Sequence, residues 1–264
     1  MVQAMIIMTM YCVTQLTDHE KEGLARLYKI FGDNKGFGFC GGLCSFGAKL
    51  SDCDEVYPGI YVGNDKVARR KAVLKQLGIT HVINSAEGRE MGQVDTGPDF
   101  YRDVGIHYLG IGIMDMPNVR ISLYFELASN FIQKALESKG STSELTSNFI
   151  QKALENKGST SELASNFIQK ALESKGSTSE LTFNFIQKAL ESKGHDNHGK
   201  VLVHCMMGLS RSPTIVMAFL IMKRGLTAEL ALRTVKSHRE VRPNDGFLLQ
   251  LLELEDNVKA RQIG

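Results

Sequence analysis

Hydrophobic and polar positions change their period several times along this chain, and the changes mark out strands and helices. Short apolar runs bounded by turn residues predict buried strands, and apolar residues at helical spacing predict amphipathic helices. The predicted strands are 57–63, 80–86, 107–113 and 200–205, and the predicted helices are 18–31, 67–78, 212–225, 227–239 and 246–262. Strands that alternate with helices predict an α/β fold with a central sheet flanked by helices.

An 18-residue repeat interrupts this alternation. The segment 141–158 recurs as 159–176 and 177–194, and each copy differs from the one before at two positions. Each copy has a capping box, an apolar face and a closing glycine, so the repeat predicts extra amphipathic helices. Two interpretations stay open: a tandem duplication or gene-prediction error without a function of its own, or an annex for docking or self-association.

Composition narrows the class of protein. The chain has 264 residues, 43% of them hydrophobic, which is enough for a sizeable core. Its 31 Lys and Arg against 29 Asp and Glu argue against a nucleic-acid binder held by bulk charge. Five cysteines at irregular spacing argue against a secreted disulfide framework, and no apolar run reaches the roughly 18 residues of a membrane span. We therefore expect a cytoplasmic protein, with the nucleus as a second location.

The candidate chemistry lies in one segment, VLVHCMMGLSRSPT at 201–214. Cys205 ends a buried strand and Arg211 follows six residues later. This spacing suits a loop whose backbone N–H groups face inward and hold phosphate oxygens. Gly208 permits the positive φ that such a loop requires. The segment therefore predicts an oxyanion-binding loop with a cysteine at its base.

Two positive groups are predicted to activate this cysteine. Ser212 as N-cap and Pro213 as the first helical residue would begin a helix whose positive dipole end faces the loop. Arg211 carries a planar guanidinium that binds two phosphate oxygens at once. Both groups favour the thiolate form of Cys205, the nucleophile that attacks phosphorus. A buried core cysteine beside an unrelated arginine is the alternative, and it leaves the coincidence of strand, loop and helix unexplained.

The segment resembles the signature of protein tyrosine phosphatases in its dual-specificity form, and the matching residues are His204, Cys205, Gly208, Ser210, Arg211 and Ser212. Stretches at 55–64, 77–88, 100–111 and 242–251 also resemble the small atypical dual-specificity phosphatases of the VHR type. The resemblance covers residues 54 to about 258, apart from the repeat copies. It implies the central sheet of a protein tyrosine phosphatase.

The resemblance also implies an activity and a domain organisation. The expected enzyme hydrolyses phosphotyrosine and phosphoserine or phosphothreonine in proteins through a cysteinyl-phosphate intermediate, without a metal or another cofactor. Residues 1–53 would be an N-terminal extension, and residues 54–264 the catalytic domain, interrupted by a helical insertion at 141–194. The expected partners are phosphorylated proteins, MAP kinases among them, with no nucleic acid and no membrane. The repeats are a further surface for a partner or for self-association.

Individual roles follow from the same resemblance. Asp115, in the sequence GIMDMP, corresponds to the general acid, while Asp95 and Asp103 are less well placed alternatives. Ser212 corresponds to the hydroxyl that helps the thiolate leave. His204 is expected to orient the loop.

The substrate contacts are assigned to the loop itself. Asn244 either braces this loop or forms a turn in its Pro-Asn-Asp sequence. The residues expected to line the phosphate site and its rim are Met206, Met207, Gly208, Leu209, Ser210 and Arg211. The apolar rim departs from the charged, small or aromatic residues that relatives carry, and it would accept varied peptide neighbours.

Three rival functions use the same sequence differently. A binding module would capture phosphoproteins without turnover, and a lipid or RNA 5′-phosphatase would need a wider and more basic pocket. A scaffold would act through the helical repeats and would keep its partners without Cys205. The retained Cys205, Arg211 and Asp115 favour the enzyme.

Overall fold

The computed structural model describes residues 16–32, 51–138 and 198–263. The chain divides into two compact units, residues 1–137 with 199–264 and residues 138–198, and the elements given below all lie in the first. The predicted helical insertion at 141–194 lies outside the described residues, as does most of the predicted extension. Within the described ranges, no helix is long and apolar enough to cross a membrane.

In the described residues, five strands form one sheet. They are β1 (Cys53–Tyr57), β2 (Ile60–Gly63), β3 (Ile79–Asn84), β4 (His107–Gly110) and β5 (Lys200–His204). The order across the sheet is β1-β2-β5-β3-β4. β1 pairs with β2 in antiparallel fashion, and all other neighbours are parallel. The carboxyl ends of the parallel strands therefore meet at one edge, where the chain continues from β5 into the predicted loop.

Helices cover both faces of this sheet. They are α1 (Asp18–Phe31), α2 (Asp65–Ala68), α3 (Lys71–Leu77), α4 (Pro98–Tyr101), α5 (Phe125–Glu137), α6 (Arg211–Arg224), α7 (Ala228–Lys236) and α8 (Asp245–Ile263), with short 3-10 helices at Arg102–Val104 and Ile121–Tyr124. The predicted α/β fold is confirmed.

The central strand β5 shows why both faces need cover. Successive side chains of a strand point to opposite faces of the sheet. Val201 and Val203 pack in the larger apolar cluster with α5, α6, α7 and α8, while Leu202 packs in a smaller cluster with α2, α3 and α4. All three side chains are fully buried. A run of consecutive apolar residues is therefore the pattern of a strand covered on both sides.

The predicted helix at 67–78 forms as two helices, α2 and α3, with a break at Arg69 and Arg70. Asn64 caps the first of them, because its side chain accepts a hydrogen bond from the N–H of Val67 at 3.1 Å. The hydroxyl of Tyr101 donates to the carbonyl of Ala68 at 2.9 Å, so a carbonyl at the end of α2 is satisfied outside the helix. Apolar periodicity carries no sign of this tertiary contact.

Helix α1 forms at its predicted bounds, inside the stretch assigned to an N-terminal extension. Thr17 and Glu20 form a capping box at its start, and Gly32 ends it with a left-handed conformation. Leu24 and Leu27 are buried in the larger core cluster, against a face that includes α7 and α8. This helix therefore packs with the catalytic sheet's own helices, and the boundary at residue 53 stays a prediction.

Candidate active site

The chain leaves β5 at His204 and turns at once into a tight loop around the thiol of Cys205. This side chain is buried. Its Sγ accepts a hydrogen bond from the backbone N–H of Gly208 at 3.2 Å and another from the hydroxyl of Ser212 at 3.3 Å. Gly208 has φ +71°, the left-handed conformation that glycine adopts without strain. The loop thus directs a backbone amide and a hydroxyl at a single sulfur atom.

Helix α6 begins at Arg211, two residues before the predicted first helical residue, and Ser212 is not its N-cap. The N-cap position belongs to Ser210, whose side chain makes no capping hydrogen bond. The hydroxyl of Ser210 instead donates to Oδ1 of Asp115 at 2.7 Å. The predicted cap was wrong because both serine hydroxyls are used by the site, and Ser212 contacts Cys205 from within the first turn. The start of the helix still faces the loop, as the dipole argument requires.

Arg211 is buried, and part of its guanidinium is held by backbone carbonyls. Nη1 donates to the carbonyl of Gly92 at 2.9 Å and to that of Ile113 at 3.1 Å. Nε lies 3.6 Å from Oδ2 of Asp115. Nε is also a buried donor without a hydrogen-bond partner among the described residues. The edge of the guanidinium formed by Nε and Nη2 is therefore the one suited to bind a planar pair of oxygens.

Asp115 lies on the loop that follows β4 and reaches the start of α6. Its Oδ1 accepts hydrogen bonds from Ser210 and, at 2.9 Å, from Nδ2 of Asn244. Asn244 also caps α8, because its Oδ1 accepts from the N–H of Phe247 at 3.0 Å. Asn244 thus caps a helix and contacts Asp115, and a brace for the phosphate-binding loop itself stays a prediction.

The other two candidate aspartates form ion pairs with residues outside the predicted site. Asp103 pairs with Lys71 at 2.6 Å and Asp95 with Arg89 at 3.3 Å. Of the three, Asp115 is the one that the described contacts place beside Arg211. The structure therefore brings together five of the predicted residues, which are Cys205, Gly208, Arg211, Ser212 and Asp115, with Ser210 and Asn244 joined through Asp115.

His204 is fully buried beneath the loop. Burial lowers its pKa to about 4, so the imidazole is neutral near neutral pH. Nδ1 lies 3.4 Å from the carbonyl oxygen of Cys205, and Nε2 has no hydrogen-bond partner among the described residues. Ser85 fixes the backbone at the start of the loop by shorter hydrogen bonds, because its N–H and its hydroxyl both donate to the carbonyl of His204 at 2.8 Å.

Several of these supporting groups have no recognisable signal in the sequence. Gly92 and Ile113 act through backbone carbonyls, which every residue carries, so no residue type marks them. Ser85 follows a buried strand, and its polarity at that edge of the sheet was the one available hint. Arg239 also contacts the loop, through the carbonyls of Met207 and Gly208, and was not singled out.

The rim of the loop is apolar and rich in methionine. Met206 and Met207 are exposed and Leu209 is half-buried. Two further exposed methionines adjoin residues of the site: Met116 follows Asp115, and Met91 precedes Gly92. Among the described residues, no three His, Cys, Asp or Glu side chains lie close enough together to hold a metal ion.

This geometry defines a class of protein. The buried thiol of Cys205 lies at the carboxyl ends of the parallel strands and accepts a hydrogen bond from the N–H of Gly208. Arg211 follows at the start of a helix, and Asp115 lies beside it. The nucleophile, the oxyanion site and the acid are the parts that hydrolysis of a phosphate monoester through a cysteine requires. The class is that of the cysteine-dependent phosphatases.

Comparison with known proteins gives the family. The profile described as "Dual specificity phosphatase, catalytic domain" matches residues 145–257, a range that contains Cys205 and Arg211. Human dual specificity protein phosphatase 13B is 34% identical over 217 residues, which cover 82% of this chain and 79% of that protein. Human dual specificity protein phosphatase 26 is 32% identical over 206 residues, covering 78% and 68%.

A solved structure shares the fold. The crystal structure of a variant of human DUSP28 superposes with a TM-score of 0.50 at 20% identity, covering 80% of this chain and 99% of that one.

The chain belongs to the dual specificity phosphatase family, because its sequence relatives are members of that family over most of its length. The predicted enzyme class is thereby confirmed: this is a protein phosphatase whose substrates are phosphorylated proteins.

Proposed function

We propose that Cys205 is the nucleophile of this phosphatase and that Asp115 is its general acid. The observation that carries the proposal is the sulfur of Cys205, which accepts hydrogen bonds from an inward loop amide and from Ser212. The thiolate attacks phosphorus, the S–P bond forms, and the bond from phosphorus to the substrate oxygen breaks. Asp115 gives its proton to that leaving oxygen.

The second step releases phosphate. Asp115, now a carboxylate, takes a proton from water, the water oxygen attacks phosphorus, and the S–P bond breaks. Ser212 donates to the departing sulfur, which stabilises the thiolate as it forms. Arg211 and the loop amides hold the three non-bridging oxygens through both steps, because charge on them must be matched by fixed donors. His204 supports the loop from below and Asn244 holds Asp115 in place.

We assign the chain to the small atypical, VHR-type branch of the family. The four stretches of resemblance outside the loop support this, together with a catalytic domain over 54–264. The repeat at 141–194 would be an insertion of amphipathic helices, either a duplication or gene-prediction error without a function of its own or a surface for a partner or for self-association. The cysteine composition supports a cytoplasmic location, with the nucleus as a second one.

The substrates proposed are phosphotyrosine and phosphoserine or phosphothreonine sites, MAP kinases among them. The apolar rim supports a preference within these substrates. Met206, Met207 and Leu209 belong to the loop that binds the phosphate, and Met91 and Met116 are next in sequence to Gly92 and Asp115. Residues beside the phosphoresidue would therefore meet apolar side chains, most of them thioethers. Thioethers are flexible and polarisable, and they favour apolar or aromatic neighbours over acidic ones.

The test compares wild type with Cys205→Ser and with Cys53→Ser, the latter a matched change at a half-buried free cysteine on β1. Phosphate release would be measured from a phosphotyrosine peptide, from a peptide phosphorylated on Thr and Tyr, and from versions with acidic or apolar flanks. We expect Cys205→Ser to abolish release and Cys53→Ser to leave it intact. Release by Cys205→Ser, or none by folded wild type, would overturn the proposal, and faster hydrolysis of acidic flanks would overturn the rim preference.

A further inference from the structure

Arg239 is a buried arginine that the catalytic steps do not use. It lies three residues beyond the end of α7 and is 3% exposed. An arginine cannot lose its charge in a protein, so burial requires that its donors find acceptors. Their partners therefore show what this side chain holds.

Two of its donors reach the phosphate-binding loop. Nε donates to the carbonyl of Gly208 at 3.0 Å, and Nη2 donates to the carbonyl of Met207 at 3.2 Å. In a trans peptide unit the carbonyl and the N–H point in opposite directions. When these two carbonyls turn toward Arg239, the amides of Gly208 and Leu209 are turned to the opposite side. The N–H of Gly208 does point at Sγ of Cys205.

The other end of the guanidinium is fixed to the start of the sheet. Nη1 donates to Oδ2 of Asp54 at 2.7 Å and to the carbonyl of Ser51 at 3.0 Å. The carboxylate of Asp54 is mostly buried and balances the buried positive charge. Arg239 thus joins β1 to the outer side of the loop, with Asp54 as its anchor.

We propose, on the basis of the phosphate-binding role given above to this loop, that Arg239 is the positioning residue that turns the amides of Gly208 and Leu209 toward the phosphate. Asp54 holds Arg239 in that orientation. The role needs arginine, because one ammonium group cannot reach two carbonyls and a carboxylate in a fixed plane. Arg239 and Asp54 would therefore determine how tightly the loop binds an oxyanion.

The experiment uses Arg239→Lys and the double variant Asp54→Asn with Arg239→Met. The double variant leaves no unpaired buried charge, so its fold is expected to survive, and thermal unfolding would verify this. The matched control is Arg233→Lys, at an exposed arginine of α7 that pairs with Glu229 on its own helix. Three quantities would be measured: kcat/KM on a phosphotyrosine peptide, the inhibition constant of inorganic phosphate, and protection of Cys205 from iodoacetamide by inorganic phosphate.

Folded Arg239 variants are expected to lose about 100-fold in kcat/KM, the scale of a lost oxyanion donor, with weaker inhibition by phosphate and less protection of Cys205. The control keeps all three values. Variants that fold and bind phosphate as the control does would overturn the inference. Should wild type hydrolyse no peptide, the catalytic proposal fails on its own, and protection of Cys205 in wild type but not in the variants would still support Arg239's role.

Discussion

Asp115 is held over the phosphate-binding loop by groups from two other segments. Ser210 and Asn244 both donate to Oδ1, and Arg211 approaches Oδ2. These contacts fix the carboxyl group of the proposed general acid beside Arg211 before a substrate binds. Such fixed placement is what makes proton transfer efficient.

Replacing Asp115 by Asn is expected to slow hydrolysis of phosphotyrosine peptides by about 10²–10⁴-fold in kcat, the usual contribution of a general acid. The amide keeps the shape but gives no proton to the leaving oxygen. p-Nitrophenyl phosphate should lose less, because its leaving group is a weaker base. The comparison of kcat on both substrates checks this.

The control for that prediction is Asp103→Asn, at an exposed aspartate paired with Lys71, which should leave both rates unchanged. An equal loss on the two substrates would contradict the assignment of Asp115.

Sequence spacing had left Asp95 and Asp103 open as alternatives for the general acid, because only three-dimensional contact distinguishes one loop aspartate from another. Cys205, Gly208 and Arg211, in contrast, lie in one short segment whose local pattern carries the chemistry.

At the scale of elements, the junction of β5, the loop and α6 is tightly constrained. A Cβ on Gly208 would lie 2.6 Å from the carbonyl oxygen of Gly63 on β2 and 2.8 Å from Nη2 of Arg239. The first neighbour is backbone at the carboxyl end of β2, where Gly63 pairs with residues of both adjacent strands, so it cannot shift without disturbing the sheet. Gly225, which ends α6 with φ +65°, has no neighbour within 4 Å of such a Cβ.

These two glycines make a matched pair for Gly→Ala changes. Each change should cost about 1–2 kcal/mol of unfolding free energy for a left-handed alanine. Gly208→Ala should cost more than Gly225→Ala and should also weaken phosphate binding, because the clash moves the loop. Urea unfolding and inhibition by inorganic phosphate measure the two effects. Equal stabilities with intact inhibition would argue against a tightly packed loop.

Element prediction succeeded where local pattern and tertiary structure agree. For helix α1 and strand β5, the apolar pattern and the residues that mark the ends lie within the element itself or directly beside it. At the break between α2 and α3, Tyr101 donates to the last carbonyl of α2, and at the start of α6 the hydroxyl of Ser210 donates to Asp115. The hydrophobic pattern of the sequence predicts neither of these tertiary hydrogen bonds. Arg239 was missed for the same reason, since its role lies in where two carbonyls point.

At the scale of the whole molecule, the described chain stops after α5 at Ser138 and resumes at His198, just before β5. Cys205 follows the far end of that strand, about 16 Å away at the usual rise per residue. His198, where the described chain resumes, therefore lies at the pole of the sheet opposite the thiol. Segments that connect elements away from an active site generally tolerate changes in length well.

Deletion of residues 141–194 is accordingly expected to leave kcat/KM on a phosphotyrosine peptide within about threefold of wild type. Light scattering on both proteins would test the second interpretation of the repeats, self-association. A shorter protein that stays folded but loses activity would show that the repeats support catalysis. A change in oligomeric state on deletion would favour the interpretation that the repeats mediate self-association over that of a duplication without a function.

Helix α6 begins with Arg211, and every residue from there to Ile221 is buried. The helix contacts α5, α7, α8 and the strands β2 and β5. Backbone amides in such a helix exchange with solvent only when the whole domain opens. A ligand bound at the start of α6 is therefore linked to global unfolding, by about 2.7 kcal/mol at one hundred times its dissociation constant. Binding of an oxyanion should slow deuterium uptake deep in the core as well as in the loop that touches it.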